Sequence, residues 1–427
     1  MHNAELKTYK YLNCLRCSNL RQFAIKSNSA ILLLVFFLLL PNTTTARQDS
    51  THTNDADSIN NYELCIMNYE SNRWDALMNW NFMALPYPSY SPETSWQFGI
   101  TGVWYFHTSK ENQQFSDLNF DMGYTLNQQW YINANSRIYF NTQTRWFLDT
   151  YLSAKHYPDL FFGTTNNIDS VYNPAIKYTS NFIDLKAKPS FYITNHWLAG
   201  ATLHIRYDNS TLLIPHSSFL IQNGFGENLF LGIGGAISYD TRSNNYYPLH
   251  GLFFKTTITY HQQIPFDSPQ STVNGQQNCG SFLTPNSSSL ILIDLRQYIP
   301  LYKELILAWK FRSEWAVGNN VPFQLLPTIG GQDLVRGIRQ NKFKDNTLFA
   351  LQAELRIPIW RFLKAAVFGS VGDVYNYNNW QWATPKIGYG AGLRACIHQA
   401  KTNIRFDVAR QNYDNNWSFY FTVKEAF

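Results

Sequence analysis

The residues best placed to do chemistry lie in Thr328-Ile-Gly-Gly-Gln-Asp-Leu-Val-Arg-Gly-Ile-Arg-Gln-Asn-Lys-Phe-Lys-Asp345, with Val335-Arg336-Gly337-Ile338 at its heart. A solvated loop tip has no need of an arginine fixed between a β-branched residue and a glycine. A loop folded back into a polar cavity has. Gly337 lets the backbone turn sharply, and the Arg336 guanidinium can reach a carboxylate bidentately. The chemistry on offer is electrostatic capture; the alternative is a surface loop with an incidental arginine.

Nothing elsewhere reads as catalytic. No Gly-x-Ser-x-Gly elbow occurs, and His196, His204, His216 and His250 have no nucleophile at a telling spacing. The histidines as a set show no metal-ligand spacing. Gly232-Ile-Gly-Gly235 is no phosphate loop, because strand alternation runs through it and no helix follows. Of five cysteines, Cys14 and Cys17 belong to the N-terminal segment, while Cys65, Cys279 and Cys396 are an odd number spread far apart. Neither a disulfide framework nor a zinc site is indicated. The reading is non-enzymatic, with no metal and no cofactor.

The elements that must position Arg336 are strands. Of the 427 residues, 17% are aromatic and only 15% charged, against a usual charged share of about a quarter. That balance suits a sheet protein with a large apolar outer surface. Sixteen strands are expected, roughly at 82–90, 96–106, 115–125, 129–140, 143–155, 178–193, 196–208, 227–239, 250–261, 287–297, 303–316, 347–357, 364–373, 386–396, 402–409 and 418–427. Leu252, Phe254, Thr256, Ile258 and Tyr260 share one face of a strand, opposite Phe253, Lys255, Thr257 and Thr259. Phe349, Leu351, Ala353, Leu355 and Ile357 likewise oppose Ala350, Gln352, Glu354 and Arg356. This period of two means strand, although a soluble sandwich also alternates.

Three features decide for a membrane barrel. An export signal comes first: Lys7, Lys10, Arg16, Arg21 and Lys26 precede the apolar run from Ile31 to Leu40, and Thr44-Thr45-Ala46 suits cleavage. The apolar run is too short for a spanning helix, which needs about 20 residues. The polar faces mix acids and bases with glycines, as in Gly388, Gly390, Gly392 and Arg394, which suits a packed lumen. Finally, joins between even and odd strands are mostly short, whereas the odd-to-even joins 156–177, 209–226, 262–286, 317–346 and 374–385 are long. Short turns on one side and long loops on the other mark a transmembrane barrel, and closure removes the sheet edges that lipid forbids.

The expected plan is a signal peptide at 1–46, a flexible periplasmic lead at 47–80 and an outer-membrane barrel at 81–427. The lead is too short for a periplasmic adaptor (POTRA) domain. Without residues 1–46 the net charge of +5 falls to about +1, so no nucleic-acid footprint is expected. Near the far end, Phe419, Phe421 and Val423 share one face, and Phe427 follows as an interfacial aromatic closing the last strand. Glu425 falls on that same outward face and should lie near the headgroups.

Residues 80–427 resemble the BamA/TamA superfamily of outer-membrane barrels, also called the bacterial surface antigen family. Five stretches carry the likeness in order: Tyr90-Ser-Pro-Glu-Thr-Ser-Trp-Gln-Phe-Gly99, Asp240-Thr-Arg-Ser-Asn-Asn-Tyr-Tyr-Pro-Leu-His-Gly251, Asp294-Leu-Arg-Gln-Tyr298, the Val335-Arg336-Gly337 loop and the aromatic Phe427. The resemblance implies an all-β fold, a 16-stranded antiparallel transmembrane β-barrel with a long loop tucked inward between strands 11 and 12. It implies that Arg336 meets acids on strands 12 and 13, which gives Glu354 that role. The strand-13 motif Phe-x-Asp-x-Gly reads Phe368-Gly369-Ser370-Val371-Gly372 here, so Ser370 replaces the aspartate and half of the clamp is missing. Asp373 or Asp407 could compensate. Phe419, Phe421 and Phe427 resemble the signal read by the outer-membrane insertion machinery.

The resemblance further implies residence in the outer membrane of a Gram-negative bacterium, in contact with its lipid. The function implied is outer-membrane protein assembly or polypeptide translocation, for which a separate periplasmic adaptor protein would be a partner. A passive pore or structural surface barrel is the alternative. Some relatives carry a patatin-like lipase domain, but no residues remain here to build one.

Overall fold

The computed structural model describes residues 81–91, 93–108, 115–140, 145–167, 175–213, 224–266, 286–397, 401–413, 416–423 and 425–427. The expected signal peptide and the whole of the expected lead lie outside them.

Period-two alternation is realised as sixteen strands. They are β1 (Phe82–Ser91), β2 (Ser95–Phe106), β3 (Ser116–Thr125), β4 (Trp130–Tyr139), β5 (Trp146–Phe161), β6 (Ile176–Tyr192), β7 (Trp197–Leu212) and β8 (Gly226–Asp240). They continue as β9 (Gly251–Pro265), β10 (Ser287–Tyr302), β11 (Leu305–Gly318), β12 (Thr347–Trp360), β13 (Leu363–Tyr375), β14 (Lys386–Cys396), β15 (Asn403–Gln411) and β16 (Trp417–Val423). Each pairs antiparallel with its chain neighbours, and β16 meets β1 to close the barrel. One face of each strand carries exposed apolar residues, such as Trp96, Phe98 and Ile100 on β2 or Ile233 and Ile237 on β8. The opposite face packs an interior of buried charges.

Several strands run past their expected ends, β7 to Leu212, β9 to Pro265 and β10 to Tyr302 among them, and two further differences bear on the site. β5 runs on to Phe161, in register with Ile176, instead of ending at 155. β16 stops at Val423, so residues 425–427 are not strand.

The closing seam is thin. β15 and β16 run in register from Ile404–Val423 to Arg410–Trp417, whereas β1 and β16 share the single register pair Tyr90–Phe419 among the described residues. Side chains do much of the closing: Ser89 Oγ donates to the Phe419 carbonyl at 2.9 Å, and the Tyr87 and Phe421 rings stack at 5.6 Å.

Candidate functional site

The connection between β11 and β12 enters the barrel interior, and local backbone geometry turns it there. Gly330, Gly331 and Gly337 have φ of 108°, 86° and 99°, the left-handed region open to glycine. Val335 is held at φ 53° despite its branched Cβ, a conformation that only surrounding packing can hold. That packing is present: Val335 is buried with Ile329, Leu334, Ile338, Phe343, Leu348, Ala350 and Val374. The barrel wall is thinned to receive the loop. A Cβ at Gly388 of β14 would lie 2.1 Å from the Arg336 carbonyl oxygen, and one at Gly337 would lie 2.9 Å from that of Arg410.

With its backbone fixed so, Arg336 is 1% exposed. Its Nη2 donates to Glu354 Oε2 at 2.8 Å and its Nη1 to Asp407 Oδ2 at 2.6 Å. Its guanidinium lies 3.4 Å from the Phe368 ring centroid, and the Gly337 amide donates to Tyr420 Oη on β16 at 3.2 Å. The two carboxylates are shared. Arg394 Nη1 donates to Asp407 at 2.6 Å, its Nη2 to Glu354 at 3.2 Å and its Nε to Glu425 at 2.9 Å. Arg356 Nε donates to Glu354 Oε1 at 3.1 Å. Arg405 lies 3.5 Å from Asp407 and reaches Asp333 of the loop at 3.2 Å. Buried charges are tolerable when paired and hydrogen-bonded. Here four arginines are matched by Glu354, Asp407, Glu425 and the more exposed Asp333.

Val335, Arg336, Gly337 and Glu354 thus come together, whereas Ser370 does not join them. Its Oγ donates to the Gly388 carbonyl at 3.0 Å. The second acid is Asp407 on β15, because barrel curvature carries β15 towards the loop. Asp373 is engaged by Lys386 at 2.7 Å.

The expectation for the far end of the chain is also corrected. Phe419 faces outward, but Phe427 is buried inside with Tyr247, Tyr298, Ile306 and Ala308. Glu425, expected near the headgroups, is an interior partner of Arg394 and of Asn403, whose Nδ2 donates to it at 2.7 Å. Strand pairing ends at Val423, so side-chain parity no longer governs residues 425–427.

Other anchors were not legible in the sequence. At the long-loop rim, Phe323 of the same connection stacks on Phe225 at 4.6 Å and meets Phe161 and Tyr178 edge-on. Arg339 Nη2 donates to Asp159 on β5 at 2.7 Å. Burial pulls the neighbouring Lys344 ammonium down to about 8. At the short-turn rim, residues 241–250 cross the interior. Tyr246 Oη donates to Asp117 on β3 at 2.7 Å, while Tyr247 packs against residues of β10 and β11 on the far side. His204 Nδ1 lies 2.7 Å from His261 Nε2, and His204 Nε2 lies 3.1 Å from Asp184. A Cβ at Gly232 of the intervening β8 would lie 2.6 Å from His261 Nε2, so this glycine makes the contact possible. No group of His, Cys, Asp and Glu among the described residues fits a metal ion.

A family model described as the Omp85 superfamily domain matches residues 108–427. No curated protein matches. Among solved structures, BamA from Haemophilus ducreyi lacking POTRA domains 1-3 is 14% identical, with a TM-score of 0.49, over 81% of this chain and 70% of that one. CdiB from Acinetobacter baumannii is 11% identical, with a TM-score of 0.51, over 80% of this chain and 59% of its own. CdiB from Escherichia coli is 10% identical, with a TM-score of 0.51, over 81% and 62%. The chain therefore spans about three-fifths of the length of either CdiB, and this likeness is one of fold alone.

Proposed function

The chain belongs to the Omp85 superfamily, and from that premise we propose that it works in outer-membrane protein assembly or polypeptide translocation. In this reading the barrel sits in the outer membrane of a Gram-negative bacterium, surrounded by lipid and placed there by the insertion machinery. Its role is non-enzymatic, and a separate periplasmic adaptor protein delivers its clients. The Arg336 loop, gripped by Glu354, fixes the interior wall, and Phe419, Phe421 and Phe427 serve as the insertion signal.

The observation that carries this reading is the seam. A barrel that passes a strand sideways needs one junction weaker than the rest. Among the described residues β1 and β16 share one register pair, Tyr90–Phe419, and each missing ladder bond lowers the cost of opening by about 0.5–1.5 kcal/mol. Segments 241–250 and 319–346 both cross the interior, an arrangement poorly suited to a passive pore.

The test is a reversible seam lock, Tyr90→Cys with Phe419→Cys, in cells depleted of the native chain. Loss of particular outer-membrane proteins on depletion, with rescue by the reduced variant and not by the oxidised one, is the expected result. An unchanged outer-membrane proteome, together with large stable conductance in planar bilayers, would favour the pore instead.

A further inference from the structure

The connection between β13 and β14, residues 376–385, belongs to the long-loop rim and folds back against the barrel wall. Trp380 lies flat on Tyr375 of β13, with ring centroids 4.3 Å apart and planes 9° apart. Phe349 of β12 supports the pair, 6.2 Å from Trp380 and 6.3 Å from Tyr375. Trp382 stands edge-on to both rings, 5.6 Å from each, with its plane turned 71° from Tyr375 and 73° from Trp380.

Trp382 is not placed like the other exposed tryptophans. Trp96, Trp130 and Trp146 sit on strands and are 48%, 44% and 50% exposed, as interfacial rings lying with one side on a barrel should be. Trp382 sits on a connection and is 80% exposed. An apolar ring gains free energy by burial, yet main-chain contacts fix the segment that holds this one out. Asn166 Nδ2 donates to the Gln381 carbonyl at 2.7 Å. The Asn376 side-chain oxygen accepts from the amides of Asn378 and Asn379 at 3.0 Å and 3.3 Å.

The segment reads Asn376-Tyr-Asn-Asn-Trp-Gln-Trp-Ala-Thr-Pro385 and carries no charge. Asn378, Asn379, Gln381 and Thr384 are exposed, and their amides and hydroxyl both donate and accept. An aromatic face is electron-rich, so it attracts the slightly positive C–H face of a sugar ring, whose hydroxyls then meet the amides. An anionic ligand would need a cation, and residues 376–385 offer none. A lipid chain would leave the amides without a use.

We propose that Trp382, backed by Trp380 and Tyr375, is a binding platform for a pyranose ring of an uncharged glycan, carried on a lipid headgroup beside the barrel or on a soluble oligosaccharide. Sugar binding at this rim is independent of client passage through the seam.

The experiment titrates the refolded chain with fluorescein-labelled oligosaccharides of glucose, galactose, mannose and N-acetylglucosamine, read by anisotropy. A zwitterionic detergent is used because it has no sugar headgroup to compete. At least one oligosaccharide should bind saturably. Trp382→Leu keeps an apolar anchor without a ring face and should weaken that binding by about tenfold, the worth of one stacked ring. Trp382→Tyr should retain part of it, and Trp96→Leu on β2 should leave it unchanged. Heat-modifiable migration confirms that each variant has refolded. The chain in phosphatidylcholine vesicles, given the bound sugar free or as a glycolipid headgroup, separates the two sources, and a Trp382-dependent preference for either supports the platform. No saturable binding by any of these sugars, wild-type binding by Trp382→Leu, or an equal loss in Trp96→Leu overturns the proposal and leaves Trp382 as an interfacial anchor.

Discussion

Replacing Arg336 should cost less than replacing its partner Glu354, although the two share one hydrogen bond. Arg336→Met removes two charge-assisted bonds, each contributing about 1.5–3 kcal/mol. Neither acid is then abandoned: Glu354 keeps Arg394 and Arg356, and Asp407 keeps Arg394 and Arg405. The loss should therefore sit at the low end of the two bonds' sum, about 3 kcal/mol. Glu354→Gln instead takes a charge partner from Arg336, Arg394 and Arg356 at once. Arg336 and Arg394 retain Asp407, but Glu354 is the only carboxylate paired with Arg356 among the described ion pairs. That loss should approach the figure for breaking a buried pair, about 3–5 kcal/mol. Urea unfolding of the refolded barrel measures both variants. Protease cleavage within 329–345 on intact cells reports whether the loop has loosened, and should be fastest for Glu354→Gln and slowest for wild type. Arg336→Met at least as costly as Glu354→Gln, or rapid wild-type cleavage that neither change alters, would refute a loop held by a shared buried cluster.

Gly388→Ala should loosen the same loop with no change of charge, because the added methyl would meet the Arg336 carbonyl oxygen at 2.1 Å; cleavage at the wild-type rate would contradict the close approach. Ser370→Asp offers an acceptor to the buried Arg336 Nε, which lacks a hydrogen-bond partner, and should slow cleavage; faster cleavage would mean that the lost Ser370–Gly388 bond matters more. Burial pushes the Glu93 carboxyl, in the turn between β1 and β2, up to about 7. The folded chain then holds a proton that the unfolded chain releases near its ordinary value. Glu93 should therefore cost stability as pH rises from about 4.5 through 7, by up to about 3 kcal/mol. Urea unfolding at pH 5 and pH 8 should show Glu93→Gln gaining on wild type at the higher pH, and parallel curves would exclude the effect.

The barrel, and the rim at which the loop begins, were legible in the residues alone; that the loop turns inward was implied by the family resemblance. Strand alternation is local, since a period of two puts Leu351 outside and Glu354 inside whatever the rest of the chain does. The order of short and long joins then identifies the rim to which residues 319–346 belong. Gly337 beside Arg336 was legible for the same reason, as a backbone requirement carried by one residue. Which distant residues meet across the interior was left to the closed barrel. Curvature chose Asp407 over Asp373 as the second acid, and no spacing along the chain encodes a contact made across a closed sheet. Gly232 lets His204 touch His261 through an intervening strand, which a reading of either histidine alone cannot reveal. Phe427 turned inward because strand pairing ends at Val423. Beyond that point no ladder holds the backbone to alternation, and the ring packs with Tyr247 and Tyr298 while its main-chain oxygen accepts from Arg356 Nη2 at 2.9 Å.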